Sequence, residues 1–395
     1  MTGLAWLPTP VLPPPDPAVG RDRPARDRPA RDRPARDRPA RDGAARRLVD
    51  TFGRVHRDLR ISLTDRCSLR CTYCMPEQNL EWLARESVLT ADEIVRVATV
   101  AARAGVSTFR LTGGEPLLRR DLVDVVARLA ALRVGVGSRA GERVSVAMTT
   151  NGIGLPRVLD ALVEAGLARL NISLDTLRAD RFRELTRRDR HADVLVGIEA
   201  AAASRLRPLK LNTVAMRGVN DDELVDLTGY ALSLGAELRF IEQMPLDAGH
   251  TWDRSRMVTR EEILAALRRR WELEPVPARG GAPAERWRLH GPGSPDGERT
   301  VGVIASVTAP FCGACDRIRL TADGQIRNCL FSTDEFDLLR VLRPTGEPTA
   351  EPIDDPTAAA LDALLRRALR AKLPGHGIDD PGFLQPRRGM NAIGG

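Results

Sequence analysis

The sequence predicts an α/β protein built on an incomplete (βα)6 TIM-type barrel, with a C-terminal region attached to it. Six short, β-rich apolar runs alternate with amphipathic stretches, which is typical of βα units around a parallel sheet. The glycine fingerprint of a dinucleotide-binding Rossmann sheet is missing from the sequence. Polar residues gather where the predicted strands end, and in a parallel barrel that edge carries the functional groups.

The chain divides into three predicted segments: a Pro- and Arg-rich tail over 1–46, the partial barrel over 47–258 and the C-terminal region over 259–395. In the tail, residues 21–40 repeat RDRPA four times, and proline at every fifth position blocks a regular helix. This repeat contains no large apolar side chain that could be buried in a core. We therefore expect a disordered, dispensable tail, with a binding arm as the alternative, and a folded part that begins near Leu48.

The barrel elements follow in order from residue 59. The six predicted strands are Leu59–Leu63, Thr108–Thr112, Val144–Thr149, Arg169–Leu174, Lys210–Met216 and Glu237–Met244. Amphipathic spacing predicts helices between them, over Ala91–Ala104, Asp121–Leu132, Leu155–Ala165, Ala192–Ser204 and Asp222–Leu234. Beyond residue 258 we expect a helix over Thr259–Trp271, a Pro/Gly-rich stretch up to Arg299, a strand over Val301–Val307 and an amphipathic helix over Thr357–Leu373.

Charge and hydropathy exclude several classes of protein. The net charge of the 395 residues is +7, but residues 21–42 alone hold nine Arg and five Asp. The rest of the chain mixes acids and bases, which does not favour a nucleic-acid-binding surface. We expect no membrane span, because no run of about 18 apolar residues occurs. Six prolines and no basic residue in the first twenty positions argue against a signal peptide, so we expect a cytoplasmic protein.

The six cysteines form two triplets and give the strongest chemical signal. The spacing C-x3-C-x2-C holds Cys67, Cys71 and Cys74, and the spacing C-x2-C-x13-C holds Cys312, Cys315 and Cys329. In a cytosolic chain, such tight spacing favours cluster or metal ligation over disulfides. The first triplet follows the first strand and suits a [4Fe–4S] cluster with one iron left open. Zinc completed by His56 is the alternative, although one C-x2-C step is a poor zinc signature.

The first triplet, with Tyr73 as its aromatic residue, resembles the signature of the radical S-adenosylmethionine superfamily. The resemblance continues in the motif G-G-E-P at 113–116, which ends the second predicted strand. It implies a [4Fe–4S] cluster whose open iron binds S-adenosylmethionine and whose electron releases a 5′-deoxyadenosyl radical. It also implies cofactor contacts from four residues, which are Tyr73, Gly114, Ser173 and Met244.

Two arginines follow the first cysteines of the second triplet. Arg317 and Arg319 are two residues apart in a predicted strand, so they project from one face. Together they could hold a phosphate chain through bidentate hydrogen bonds. Because Arg outnumbers Lys by 58 to 2, solvated surface arginines are the alternative. Of the two lysines, Lys210 begins the fifth predicted strand and Lys372 falls on an ordinary amphipathic helix.

From about residue 48 onward, the chain resembles the GTP 3′,8-cyclase family of molybdenum cofactor biosynthesis. The matching motifs are L-V-D-T-F-G at 48–53, L-R-I-S-L-T-D-R-C at 59–67, F-R-L-T-G-G-E-P at 109–116, T-T-N-G at 149–152, F-C-G-A-C-D-R-I-R-L-T at 311–321 and the terminal G-G. The resemblance implies a second [4Fe–4S] cluster on Cys312, Cys315 and Cys329, whose open iron contacts guanine. It implies contacts to GTP from Arg60, Arg110, Thr149, Lys210, Arg317, Ile318 and Arg319, and an active-site tail ending in Gly394 and Gly395.

The same resemblance implies a reaction and partners. The radical would take hydrogen from C3′ of GTP, and C3′ would then add to C8 of guanine. One-electron reduction would give (8S)-3′,8-cyclo-7,8-dihydroguanosine 5′-triphosphate, which passes to cyclic pyranopterin monophosphate synthase. We expect a homodimeric lyase, supplied by a flavodoxin- or ferredoxin-like electron donor and binding neither nucleic acid nor membrane. A two-cluster radical enzyme acting on a peptide and a zinc-binding nucleic-acid protein are the alternatives.

Overall fold

The alternation of strands and helices expected from the sequence is present in a computed structural model of the chain. The structure describes residues 47–394, apart from residues 77, 79, 248, 278, 295, 297 and 349–353. The predicted tail over 1–46 and the terminal Gly395 lie outside the described residues. The described part begins next to Leu48, a fully buried residue.

Twelve strands and ten helices are present in the described part of the chain. The strands are β1 Asp58–Ser62, β2 Thr108–Thr112, β3 Ser145–Thr150, β4 Leu167–Ser173, β5 Leu209–Ala215, β6 Glu237–Glu242, β7 Glu272–Val276, β8 Glu285–His290, β9 Thr300–Ile304, β10 Arg317–Leu320, β11 Gln325–Arg327 and β12 Phe336–Asp337. The helices are α1 Ala91–Arg103, α2 Leu122–Ala131, α3 Leu159–Glu164, α4 Ala179–Thr186, α5 His191–Ala203, α6 Leu224–Ser233, α7 Arg260–Arg268, α8 Leu339–Leu342, α9 Asp355–Arg370 and α10 Met390–Ile393.

All the strands belong to one sheet, ordered β12-β11-β10-β1-β2-β3-β4-β5-β6-β9-β8-β7. Strands β1 to β6 are parallel and stand in chain order. The parallel strands β10 and β9 extend the two flanks, next to β1 and β6 respectively. Because β12 and β7 end the order of the described strands without pairing with each other, the barrel is incomplete, which confirms the predicted fold class.

Alternating side chains decide which face of the sheet meets the helices. On β1, Leu59 and Ile61 are fully buried in the apolar core, whereas Asp58 and Arg60 line a cavity. Helix α1 covers the apolar face with residues such as Ile94, which is also fully buried. Successive strand residues point to opposite faces, so one face of the sheet is apolar and the other is polar.

Most predicted elements agree with the structure to within a few residues, but some elements differ. The predicted helix Leu155–Ala165 begins as a 3-10 turn, and only Leu159–Glu164 is α-helical. The predictions did not include helices α4, α8 and α10 or the short strands β11 and β12. The expected Pro/Gly-rich stretch up to Arg299 contains the hairpin of β7 and β8. Strand β7 carries Pro275 and lies at the edge of the sheet, where a missing N–H is tolerated, so composition alone does not identify it.

Among the described residues, none of the helices combines the length and the apolar character needed to cross a bilayer.

A buried ion pair joins the C-terminal region to the first barrel helix. Glu93 lies in the first turn of α1, and its two carboxylate oxygens accept hydrogen bonds from Arg343 Nε at 2.5 Å and Nη2 at 2.8 Å. The side chain of Glu93 is fully buried. Burial raises the pKa of Glu93, but the bonds from Arg343 and Thr90 outweigh this effect and leave the pKa below 4.5.

Replacement of this arginine should destabilise the protein. In Arg343→Met, the buried carboxylate loses its partner, and we expect a loss of about 3–5 kcal/mol in the free energy of unfolding at pH 7. Because the folded-state pKa of Glu93 is lowered, the wild-type contribution is complete above pH 4.5 and is lost as pH falls through the folded-state value.

The matched control is Arg340→Met. Arg340 is 90% exposed, and its ion pair with Asp337 should contribute only about 0–1 kcal/mol. Denaturant unfolding of anaerobically purified protein measures both variants. Equal losses in the two variants would contradict the importance of the buried pair.

Candidate active site

The polar face of the sheet encloses a cavity of about 460 Å³. Both cysteine triplets line it. Cys67 follows the carboxyl end of β1, whereas Cys315 precedes the amino end of the neighbouring parallel strand β10. The triplets therefore lie at opposite ends of two adjacent strands, and the side chains along those strands line the space between them.

A row of cations crosses three neighbouring strands inside the cavity. Arg60 on β1 is in register with Arg319 on β10 and with Arg110 on β2. Arg317, two residues before Arg319, lines the same space, as the sequence predicts. Ile318 lies between these two arginines in the chain, and its side chain packs in the apolar core.

These arginines are buried without full hydrogen bonding. Within the described residues, one nitrogen each of Arg60, Arg110 and Arg317 is buried and has no hydrogen-bond partner. Burial, together with the charges of Arg319 and Arg317, lowers the pKa of Arg60 well below its ordinary value. Burial and Arg317 lower the pKa of Arg319 to about 10. Unsatisfied buried cations of this kind fit an anionic ligand that supplies the missing acceptors.

The opposite wall carries a second cationic group. Lys210 lines the cavity on β5, and burial together with the charge of Arg239 lowers its pKa to about 8. Arg239 on β6 is in register with Asn212 on β5, whose side-chain oxygen is buried without a described partner. The cavity is thus cationic on both sides.

The cavity is also lined by four residues that the sequence motifs did not predict: Asp58, Arg169, Asn212 and Arg239. A signal was present, since Arg169 and Arg239 alternate with apolar residues in strands β4 and β6. Parallel strands covered on both faces are usually apolar throughout, so alternation in a parallel sheet indicates a polar interior.

The first triplet is held in a turn after β1. The N–H of Cys74 donates to the carbonyl of Cys71 at 3.0 Å. The Cys67 sulfur accepts from the N–H of Leu69 at 3.5 Å and from Asn151 Nδ2 at 3.8 Å. Burial raises the pKa of the Cys67 thiol to about 11 and that of the Cys74 thiol to about 12. Donors aimed at the sulfurs fit thiolate ligands of an iron–sulfur cluster.

The G-G-E-P segment packs directly against this loop. The N–H of Gly114 donates to the carbonyl of Thr64 at 2.7 Å, and the N–H of Glu115 donates to the carbonyl of Arg66 at 2.8 Å. A Cβ at Gly114 would lie 2.1 Å from the Arg66 carbonyl oxygen, so only glycine fits. The Glu115 carboxylate accepts from Thr150 Oγ1 at 2.6 Å, which ties the loop to β3.

The remaining residues assigned to the cofactor also line the cavity. Tyr73, Ser173 and Met244 face the same space as the first triplet. The Tyr73 hydroxyl donates to the Asp175 carboxylate at 2.7 Å, although burial raises the pKa of Asp175 to about 6. Thr149 also lines the cavity, so the residues assigned to cofactor and substrate share one space.

The second triplet lies at the other end of the cavity in a more positive setting. Cys312 begins a short 3-10 turn, Cys315 immediately follows that turn, and Cys329 follows β11. Burial raises the pKa of the Cys315 thiol, but the charges of Arg317 and Lys372 and the hydrogen bonds from Arg317 outweigh it and lower the pKa to about 7. A positive environment fits a thiolate ligand.

None of the six cysteines forms a disulfide. Across the described part of the chain, no three His, Cys, Asp or Glu side chains converge closely enough to hold a single metal ion. A cubane cluster does not need such convergence, because each cysteine binds a different iron.

The C-terminal segment enters the cavity region. The carbonyl of Gly394 accepts a hydrogen bond from Arg319. Gly394 has a φ of +80°, and a Cβ there would lie 2.3 Å from Ser62 Oγ on β1. Asn391 Nδ2 donates to the carbonyl of Asp65 at 3.0 Å, and the Asn391 N–H donates toward the Cys74 sulfur. The end of the chain therefore contacts both the cationic row and the first triplet.

Comparison with known proteins identifies two family profiles in the chain. The radical SAM superfamily profile matches residues 61–231, and the Molybdenum Cofactor Synthesis C profile matches residues 236–378. Among solved structures, one of Streptococcus suis SuiB bound to S-adenosylmethionine aligns with 79% of this chain and 71% of its own, at 12% identity and a TM-score of 0.49.

Curated relatives align over most of the chain. A GTP 3′,8-cyclase of Streptomyces coelicolor is 54% identical over 354 residues, covering 89% of this chain and 97% of that relative. A GTP 3′,8-cyclase of Corynebacterium glutamicum is 52% identical over 352 residues, covering 89% of this chain and 90% of that relative. The chain therefore belongs to the GTP 3′,8-cyclase family within the radical S-adenosylmethionine superfamily.

Proposed function

We propose that this protein converts GTP to (8S)-3′,8-cyclo-7,8-dihydroguanosine 5′-triphosphate in molybdenum cofactor biosynthesis. One observation carries the proposal: a single cavity reaches both cysteine triplets and is lined between them by buried cations. The product is an isomer of GTP, because the hydrogen lost from C3′ is balanced by one electron and one proton.

Two [4Fe–4S] clusters fit the two triplets. Cys67, Cys71 and Cys74 would hold the first cluster, as in the radical S-adenosylmethionine superfamily, and its open iron would bind the cofactor. When bound, this cluster and S-adenosylmethionine supply the radical that abstracts hydrogen. Tyr73 and Met244 would orient the cofactor. The tight packing of Gly114 against the loop that carries Cys67 would fix the surface to which the cofactor binds.

The second triplet, Cys312, Cys315 and Cys329, would hold a cluster whose open iron positions guanine. Its cysteines lie at the opposite end of β1 and β10 from the first triplet, which leaves room for a nucleotide between them. A substrate held at both ends presents its ribose to the radical and excludes water from it.

The triphosphate would bind to the cationic walls. The assigned contacts are Arg60, Arg110, Thr149, Lys210, Arg317 and Arg319, with Ile318 contributing through its main chain, and we add Arg169 and Arg239. Phosphate oxygens would satisfy the buried nitrogens that lack partners in the described chain. The C-terminal Gly394 would complete the wall beside Arg319.

The other assignments follow from the family. We propose a cytoplasmic homodimer that takes electrons from a flavodoxin- or ferredoxin-like protein. Its product would pass to cyclic pyranopterin monophosphate synthase. We also propose that the barrel ends at residue 258, where the C-terminal region begins, and that the tail over 1–46 is dispensable for activity.

The two triplets should separate by function in one anaerobic assay with GTP, S-adenosylmethionine and a reductant. Cys71→Ala should form no 5′-deoxyadenosine, because the radical-generating cluster loses a ligand. Cys315→Ala should still form 5′-deoxyadenosine but no cyclised nucleotide. Chromatography measures both products, and elemental analysis should find about eight irons per wild-type chain and about four in each variant.

Two results would overturn this proposal. One is zinc in place of iron in the anaerobically purified wild-type protein. The other is cyclised product from Cys315→Ala at the wild-type rate, because the second triplet would then have no part in holding the substrate.

Lys210 should bind the triphosphate through its charge. Lys210→Met should weaken GTP binding by about one to two decades, since a charge-assisted hydrogen bond contributes about 1.5–3 kcal/mol. Because its pKa is about 8, the wild-type affinity for GTP should fall as pH rises through that value and the ammonium loses its proton. Calorimetric titration between pH 7 and pH 9 measures this change.

The control for Lys210 is Arg268→Met, which removes an exposed cation at the end of α7. Its affinity for GTP should match the wild type. A pH dependence that persists unchanged in Lys210→Met, or an equal loss of affinity for guanosine, would assign the effect to another group.

Gly394→Ala should disturb cyclisation selectively. The new Cβ would collide with Ser62 Oγ at a backbone conformation that alanine avoids. We expect the rate of cyclised nucleotide formation to fall at least about tenfold, with iron content unchanged. A rise of about 1.4 kcal/mol in the activation free energy, caused by the displaced C-terminal segment, is sufficient for that effect. The matched control is Gly382→Ala in the same C-terminal segment, where a Cβ meets nothing within 4 Å. Similar rates of cyclisation in both variants would show that the C-terminal segment is not part of the site.

A further inference from the structure

Lys372 is buried beneath the second triplet. The sequence places it on an ordinary amphipathic helix, but α9 ends at Arg370, and the Lys372 residue two positions later is only 4% exposed. The prediction that it is a bland helical residue is therefore wrong. The physical reason is that the chain turns inward after the helix and carries the side chain under β10 and β11.

The three contacts of Lys372 match the three donors of an ammonium group. Its Nζ donates to the carbonyl of Arg317 at 2.7 Å and to the carbonyl of Asn328 at 2.7 Å. It also lies 3.6 Å from the Cys315 sulfur. Three acceptors around one nitrogen satisfy the protonated form completely.

Each of these contacts lies at or near a cysteine of the second triplet. Arg317 is two residues after Cys315, and Asn328 immediately precedes Cys329. One side chain from a distant part of the chain therefore links the segments next to two of the three cysteines, and it places a positive charge beside one sulfur.

A neighbouring arginine fixes the segment that carries Lys372. Arg54 donates to the carbonyl of Leu373 at 2.8 Å and to the carbonyl of Cys312 at 2.8 Å. Asp50 holds Arg54 by a buried ion pair of 2.5 Å. Asp50, within the motif at 48–53, thereby helps to hold both the loop that carries Cys312 and the backbone next to Lys372.

From these contacts we infer that Lys372 is a positioning residue of the second cluster, which it holds in place and whose reduced form it stabilises through its charge. This inference rests on the proposed second cluster. Net charge and hydrogen bonds to sulfur set the potential of an iron–sulfur cluster. Reduction adds a negative charge, so a fixed cation beside a ligand sulfur raises the reduction potential.

The test uses full-length protein in which Cys67, Cys71 and Cys74 are replaced by Ala, so that bound iron and electron paramagnetic resonance report the second cluster alone. In this background, Lys372→Gln removes the charge and keeps an N–H donor, whereas Lys372→Arg keeps the charge. Arg370→Gln is the matched control, because it removes an exposed cation two residues away. Iron content and midpoint potential are measured for all four proteins.

We expect about four irons in the background protein. Lys372→Gln should shift the potential to more negative values, and Lys372→Arg and Arg370→Gln should remain close to the background. Loss of iron in Lys372→Gln, with iron retained in Lys372→Arg, would equally support the inference.

Two results on the lysine variants would overturn the inference. One is an equal potential in Lys372→Gln and Arg370→Gln with full iron in both. The other is loss of iron in both lysine variants, because packing rather than charge would then be responsible. A background protein without iron would instead overturn the proposed second cluster, and this inference with it.

Discussion

The cost of burying several unpaired cations side by side constrains this whole fold. Arg60, Arg110 and Arg319 stand in one row because three parallel strands are in register. Within the described residues, one buried nitrogen of Arg60 and one of Arg110 have no acceptor. The apolar contacts of the helix layer on the other face of the sheet have to offset the free-energy cost of burying these charges. An anion bound in the cavity would lower that cost. This arrangement supports the proposal that the substrate is highly charged.

The same register separates the two cysteine triplets. Strands β1 and β10 are parallel neighbours, so the residues after β1 and those before β10 lie at opposite ends of one edge. Cys67 stands at one end and Cys315 at the other. The thiols of the first triplet have raised pKa values because burial dominates, whereas cations lower the pKa of Cys315. The two ends therefore differ in their electrostatic environment, since burial dominates at Cys67 and neighbouring cations dominate at Cys315.

The sequence was sufficient for most of the barrel elements and for the cysteines and several of the cations that line the cavity. Strand alternation and cysteine spacing are local patterns, and residues such as Arg60 and Lys210 were selected through the family resemblance and then found to line the cavity. Arg169 and Arg239 were missed because Arg is so abundant that its position carries little information without the strand register. Lys372 was missed because its contacts come from residues 44 to 57 positions away.

We propose that one cavity brings the ribose of GTP to the radical generated at the first triplet. Deuterium transfer from [3′-²H]GTP to 5′-deoxyadenosine in a single anaerobic turnover of the wild-type protein tests this placement. We expect one deuterium in 5′-deoxyadenosine and an equal amount of cyclised nucleotide. Cyclised nucleotide formed together with 5′-deoxyadenosine free of deuterium would show that this radical does not act on C3′.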